Sequence, residues 1–263
     1  MAHLTEGLTF TGPISNLTAY KMRGSNKIIL RTKGGATKEQ IRNDPNFVNT
    51  RRVNAEFGGR ATATRWVRNA LVPLLPLADY NIAGPINALL KPIQELDTTN
   101  DWGKRAIHFT KEPGLLQGFQ LNQGIPFDQI VRNPLTCNIS KEECTAQIDI
   151  PLLVPGINFH VPGKYTYFGI TVVLGILPDL DFNERGYKPA TGYAMALAAN
   201  QQTEWHLVSA GSVAQTIQLS VKKPLADQTF CLMVSVGILF GNPGVHKVEQ
   251  VKYAGAAKVL AVI

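Results

Sequence analysis

Cysteine is scarce in this chain of 263 residues: Cys137, Cys144 and Cys231 are an odd number with no CxxC pair among them. That spacing excludes a disulfide framework or a thiolate zinc site and suits reduced thiols packed as small apolar side chains. Long apolar runs are also missing, so no segment has bilayer-spanning length. The opening MAHLTEGLTF has no positive leader, and Glu6 interrupts the apolar stretch that a signal peptide needs. The expectation is a chain made in the cytoplasm, with no membrane partner, that leaves it only as part of an assembled particle.

Catalytic signatures are absent as well: GxSxG, HExxH, GxxxxGK[ST] and GxGxxG do not occur. His3, His108, His160, His206 and His246 are scattered singly, as structural histidines are. PDLDFNERG at 178–186 offers closely spaced oxygens, but Glu184 stands where a calcium loop needs glycine and Ala190 where it needs glutamate, so it reads as a solvated turn. These absences predict no enzyme, no cofactor and no metal.

What is present is enough for a sizeable core. The chain is 44% hydrophobic, which suits one large domain or two modest ones. Its formal net charge of +7 is unevenly placed: residues 1–133 hold 17 Lys/Arg against 10 Asp/Glu, and residues 134–263 hold 9 against 9. Such asymmetry points to a polyanion or to an acidic protein face as partner.

Residues 8–35 alternate short apolar runs with turn residues, which predicts a β-ribbon of two or three strands, too small to hold itself together alone. Thr37 with Gln40 forms a capping-box pattern, and Asp44-Pro45 puts a cap residue before proline at a helix start. One long helix is expected from Pro45 to about Val72, with Val53, Phe57, Ala61, Thr64, Val67 and Leu71 as its core stripe. Ala55, Gly58, Gly59, Thr62 and Trp66 then fall on nearly the opposite side. Two glycines cost a helix roughly 2 kcal/mol relative to alanine, so this side is expected to meet another backbone closely. Either this protein's own ribbon or sheet packs there, or a neighbouring subunit does.

A second, kinked helix is expected over about Ile82 to Leu96, interrupted by Pro85 and Pro92, followed by the strand-like pieces RAIHF and GLLQGFQLN. Beyond residue 134 seven strand-like segments separated by turn clusters predict an antiparallel sandwich. SVAQTIQLSV alternates, so one of its faces is wet. FGITVVLGIL and CLMVSVGILF are apolar on both sides, so both faces must be covered, by the N-terminal helices or by another copy. The fold class is therefore α+β: an N-terminal β-ribbon and helical region over 1–133, and a β-sandwich domain over 134–263.

Gly12, Tyr20-Lys21, Gly24, Ile29, Arg31-Thr32-Lys33, Asp44-Pro45-Asn46-Phe47, Arg51-Arg52 and Glu56-Phe57-Gly58 together resemble the opening of a loosely defined family of uncharacterised bacterial proteins, some found beside mobile or phage-like elements. The resemblance spans residues 12–60 and implies a structural role without an assigned activity or functional residue.

The leading expectation is a non-enzymatic structural subunit that assembles into a homopolymer such as a tube, filament or shell. Its expected interface holds Tyr20, Ile28, Ile29 and Leu30 of the ribbon and Gly58, Gly59, Thr62 and Trp66 of the helix, with the C-terminal strand as a further element adding to a neighbour's sheet. Lys21, Arg23, Lys27, Arg31 and Lys33 are the candidate contacts to a polyanion or acidic partner. One alternative is a phage-like or nucleoid-type nucleic-acid-binding structural protein. On the long helix, however, Arg51, Arg52, Arg60, Arg65 and Arg68 spread around the circumference, which suits packed neighbours more than a phosphate track. The other alternative is a monomeric sandwich module that binds a ligand among Trp205, Tyr165 and Tyr167.

Overall fold

The computed structural model, which describes residues 2–4, 10–22, 27–184, 186–189, 198–224 and 229–263, opens with four short strands. These are β1 (Ala2–Leu4), β2 (Gly12–Ile14), β3 (Leu17–Lys21) and β4 (Ile28–Thr32), joined in one antiparallel sheet of order β1-β4-β3-β2. Helix α1 (Lys38–Asn43) follows, started by the expected capping box: the Gln40 backbone N–H donates to Thr37 Oγ1 at 3.1 Å, and the Thr37 N–H donates to Gln40 Oε1 at 2.7 Å. Asp44 then caps a 3-10 turn at Pro45–Phe47, accepting from the Asn46 N–H. Helix α2 (Val48–Ala70) continues from it. Pro73 and Pro76 withhold the N–H groups an α-helix needs, and the chain tightens into a 3-10 helix at Val72–Leu77. Two compact units result, residues 1–51 and residues 52–263.

In the second unit, α3 (Ala83–Glu95) tolerates Pro85 in its first turn and carries Pro92 near its end. RAIHF and GLLQGFQLN form no strands of their own. Proline and glycine at 113, 114 and 118 break them into 3-10 turns at Phe109–Lys111 and Pro113–Leu116, leaving single bridges from Ile107 to Leu180 and from Gln120 to Lys258. After the short helix α4 (Phe127–Ile130) come β5 (Thr136–Ser140), β6 (Thr145–Ile150), β7 (Tyr167–Pro178), β8 (Leu180–Asn183), β9 (Gly186–Pro189), β10 (Ala199–Gln202), β11 (His206–Leu207), β12 (Gln215–Ser220), β13 (Phe230–Pro243) and β14 (Val248–Val262). Part of the strand expected over 191–200 lies outside the described residues.

The central sheet has order β10-β7-β13-β14, with β11 also paired to β7; a second sheet is β12-β6-β5. Strand alternation divides the central strands between two cores. Phe168, Ile170, Val172 and Leu174 of β7 and Leu232, Val234, Val236, Ile238 and Phe240 of β13 meet Ala146, Ile148, Ile150, Ile217 and Leu219 of the second sheet. This is the sandwich, and β12 exposes its other side, burying only alternate residues. On the opposite face Val173, Leu177, Cys231, Met233 and Leu239 meet Trp66, Val67, Leu71, Leu74 and Ile86. The layers run helices, central sheet, second sheet.

The helix-facing side of the sheet is built small. A Cβ at Gly175 would lie 2.5 Å from the Ala70 Cβ, and one at Gly237 would lie 2.6 Å from Leu74 Cδ2. Glycine inside a strand marks such close approach. The α+β class and the two-sided covering of the central strands hold, and the covering layer is the chain's own helices. The expected division after residue 133 is corrected: residues 63–133 contribute Trp66, Ile86, Leu90, Ile107, Phe109 and Leu121 to the same core as β7 and β13, so they belong to one unit with the sandwich.

Candidate assembly surfaces

The expected stripe is buried at Thr64, Val67 and Leu71 but not at its N-terminal end, where helix α2 turns a neighbouring face inward. Glu56, Gly59, Ala63, Trp66, Val67 and Ala70 are buried, whereas Val53 is 51% and Phe57 57% exposed, and Ala61 is exposed with them. Gly59 is needed because a Cβ there would stand 2.7 Å from the ring of Tyr187 on β9; Gly58 faces open space. Thr62, half-buried, donates its hydroxyl to the Gly58 carbonyl at 3.1 Å. Gly59 and Trp66 are thus committed to this chain's own packing, which corrects their placement in an intersubunit contact. Of the four helix residues named from sequence, Gly58 alone is exposed.

A largely buried ion pair accounts for the face turned inward at the N-terminal end. Arg105 Nε and Nη2 donate to Glu56 Oε1 and Oε2, each at 2.7 Å, and the Gly103 N–H donates to Oε1 at 3.0 Å. Gln94, fully buried on α3, accepts from Arg60 Nη1 at 2.6 Å and donates to the Arg105 carbonyl and the Tyr187 hydroxyl. Asp97 receives the Ala106 N–H at 2.6 Å and the hydroxyl of Thr99 at 2.7 Å. The Glu56, Gln94 and Asp97 side chains are therefore satisfied, as buried groups usually are, whereas the buried Thr64 hydroxyl has no hydrogen-bond partner among the described residues.

The same bonds set the titration behaviour. Burial alone would raise the Glu56 carboxyl, but the Arg105 hydrogen bonds, the Gly103 N–H and the charges of Arg105 and Arg60 outweigh it and hold the group below its ordinary range. Asp97 is likewise held low, its desolvation outweighed by Asn100, Thr99 and the Ala106 N–H. Burial and the Glu56 charge push Tyr187 up to about 12. Because both carboxylates are more acidic folded than unfolded, their stabilisation is complete above the unfolded value of about 4 and is lost as pH falls through the folded values. Urea unfolding between pH 6 and 2 is expected to show stability falling on acidification, with a shallower fall in the Glu56→Gln, Asp97→Asn double variant. Parallel curves for the two proteins would contradict this.

Outside this network α2 and α3 enclose an open groove of about 610 Å³. Phe57, Ala61, Ala83 and Ala88 give it an apolar floor, and Arg65, Arg68 and Lys91 line its rim. Arg60 ties its two walls, donating from Nε to Asn87 Oδ1 at 3.3 Å while its guanidinium lies 5.9 Å from the Phe57 ring centroid. The sequence pattern marked Phe57 and Ala61 as apolar neighbours but assigned them to the core.

In the first unit, register sorts the ribbon residues. Ala19 pairs with Leu30, Lys21 with Ile28, Tyr20 with Ile29 and Thr18 with Arg31. Cross-strand partners share a face, so Leu17, Ala19, Lys21, Ile28 and Leu30 lie on one face and Tyr20, Ile29 and Arg31 on the other. The Arg31 guanidinium lies 5.4 Å from the centroid of the Tyr20 ring. The Met22 N–H donates to the Lys27 carbonyl and the Lys33 N–H to the Asn16 carbonyl, extending the ladder past both ends of β4, so Lys27 and Lys33 share the Arg31 face. Arg23 lies outside the described residues. The candidate anion-binding cluster is therefore split, with Lys21 on the opposite face from Lys27, Arg31 and Lys33.

The remaining candidates have internal partners. Residues 118–121 already bond the outer edge of β14 between Ala257 and Val259, which removes that stretch of the C-terminal strand from any strand addition. Tyr165 stacks on Phe240 at 4.9 Å, and Trp205 lies over Gly241, 3.2 Å from where a Cβ would be. Asp179 accepts from the Thr110 N–H and hydroxyl, and Asp181 pairs with His108 at 2.8 Å. Among the described residues no cluster of metal-ligating side chains occurs, and no helix is long and apolar enough to cross a membrane. Comparison of the chain with protein-family models, with curated proteins and with solved structures finds no match.

Proposed function

We propose that this protein is a non-enzymatic structural subunit that assembles with copies of itself through its N-terminal ribbon. One observation carries the reading. The ribbon's central strand, β4, is apolar on both faces through Ile28, Ile29 and Leu30, yet among the described residues of the first unit only Ala19 and Ile29 are buried apolar side chains. Ile14, Tyr20 and Met22 remain exposed. A small sheet without a core is marginal by itself and gains stability when a second surface covers it. Its two edges differ: Pro13 in β2 has no N–H to offer, which blunts that side, whereas among the described residues β1 is paired only to β4. Strand addition at β1, with apolar cover over Leu17, Ile28 and Leu30, gives rings or open helices when the next copy offers an element other than its own β1, whereas β1 on β1 closes a two-fold dimer.

The central sheet lends no support to this reading, since its own helices and second sheet cover it. Lys27, Arg31 and Lys33 keep three cations on one face of the ribbon, so the nucleic-acid alternative is separated from this reading by salt dependence and not by the placement of Lys21. Sedimentation velocity and negative-stain imaging of the purified chain are expected to show large regular particles that persist at about 1 M sodium chloride, where the Debye length is about 3 Å. Deletion of residues 1–35 is expected to leave a folded monomer. A monomeric full-length chain at high concentration, or particles unchanged by the deletion, would overturn the proposal.

A further inference from the structure

The α2–α3 groove has the character of a receptor, and we infer that it takes an acidic amphipathic helix from a different protein. Its floor is apolar and unusually open for a soluble surface: Phe57 is 57% exposed, and the small residues Ala61, Ala83 and Ala88 let an incoming backbone come close. From Phe57 to Arg68 the floor runs along about 16 Å of α2, room for about three turns of a docked helix. An apolar helix stripe in a groove of this shape is a common recognition mode.

Charge decides the kind of occupant. Arg65 and Arg68 are exposed on one wall and pair with no carboxylate among the described residues, and Lys91 stands on the other wall with Glu95 one turn away at 3.7 Å. No acidic residue lines the groove. Two such grooves set face to face would oppose like charges, which argues against a symmetric contact between copies. Among the described residues a second copy has no suitable helix to offer either. Helix α1 reads KEQIRN, α4 is the single turn FDQI, and α3 is itself a groove wall. A nucleic acid would satisfy the guanidinium groups but leave Phe57 and the alanines without an apolar partner. A helix with leucines on one stripe and glutamates beside it satisfies both.

The Arg60 bonds to Asn87 and Gln94 hold the walls at a fixed spacing, so the groove is pre-formed. A pre-formed surface avoids part of the ordering cost of binding.

The test uses the full-length chain and a fluorescent peptide of about 16 residues with leucines at i, i+3, i+4 and i+7 and glutamates flanking them. The matched controls are the same peptide with lysine for each glutamate, and a single-stranded oligonucleotide. The glutamate peptide is expected to bind in the micromolar range, to gain helicity on binding, and to bind at least tenfold more tightly than the lysine peptide. Phe57→Ala and the Arg65→Glu, Arg68→Glu pair, both at exposed positions, are each expected to weaken it at least tenfold with unchanged circular dichroism. Equal binding of the two peptides, or no binding up to about 1 mM, would overturn the inference. So would an oligonucleotide that displaces the glutamate peptide while Phe57→Ala leaves both affinities unchanged, because the surface would then be a phosphate site. Loss of particles by the Arg65, Arg68 variant would also count against it, since the groove would then serve contacts between copies.

Discussion

Replacing Glu56 by alanine is expected to lower the unfolding free energy of the second unit by roughly 3 kcal/mol. The Glu56 side chain is 5% exposed and that of Arg105 22%, and the pair is closed by two parallel bonds of 2.7 Å. Removing the carboxylate leaves a guanidinium in a site that cannot fully hydrate it, and deprives the Gly103 N–H of its acceptor. The low end of the range for broken buried pairs applies because Arg105 keeps some contact with water. In a unit of this size each kcal/mol moves the melting temperature by about 2–4 °C, so thermal unfolding should fall by about 10 °C. The Glu56→Ala, Arg105→Ala double variant is expected to be less destabilised than the sum of the singles, because it no longer strands a charge. Strict additivity, or a loss under about 1 kcal/mol for Glu56→Ala, would mean that the pair behaves as a surface salt bridge and that the orientation of α2 has another cause.

The second large effect is expected at the contact of helix and sheet. Gly175→Ala should cost roughly 3 kcal/mol, near the top of the usual range for overpacking. The added methyl would meet the Ala70 Cβ at 2.5 Å and its Cα at 3.1 Å, so the obstacle is close to the helix backbone and cannot swing aside like the end of a side chain. Gly237→Ala is expected to cost less. Its methyl meets the far ends of Leu74 and Leu77, which have other rotamers. Ala70→Gly tests the mechanism. Alone it should destabilise by about 1 kcal/mol through helix propensity, but combined with Gly175→Ala it should return about 1–2 kcal/mol. Equal effects of the two glycine substitutions, or no coupling to Ala70, would show that the helical layer does not rest on β7 in this way.

Both predictions turn on contacts that local pattern could not expose. Thr37 with Gln40, Asp44 with Pro45, and Pro73 after the long helix were readable because each signal and its effect lie within a few residues. The apolar strands 167–178 and 230–243 were readable as central because a strand without a polar face has no wet side. The inward face of α2 was readable at its C-terminal end, where Thr64, Val67 and Leu71 are buried, but not at its N-terminal end. Its marker, Glu56, looks like a surface residue until Arg105 is brought to it from 49 positions along the chain. Hydrophobicity then misplaces the N-terminal end of the stripe, drawing Val53, Phe57 and Ala61 inward in place of Glu56 and Gly59. The candidate site suffered accordingly: Gly59 and Trp66 moved into the core, and Phe57, Arg65 and Arg68 came to the surface. In the ribbon, the number of cations was plain from composition, but pairing Tyr20 with Ile29 put Lys21 and Arg31 on opposite sides.

Taken alone, the sequence determined the α+β class, the Thr37–Gln40 cap and the proline stop of the long helix, the central strand segments and the need for cover on both sides of the central sheet. These follow from backbone propensity and side-chain period, which act over a few residues. The tertiary structure decided that the cover is the chain's own helical layer, that α2 turns Glu56 inward beside Gly59, Ala63 and Trp66, and that among the described residues the ribbon buries only Ala19 and Ile29. Those outcomes depend on which distant residues meet, and a pairing such as Glu56 with Arg105 or Gly59 with Tyr187 has an energy only once the fold has brought its members together.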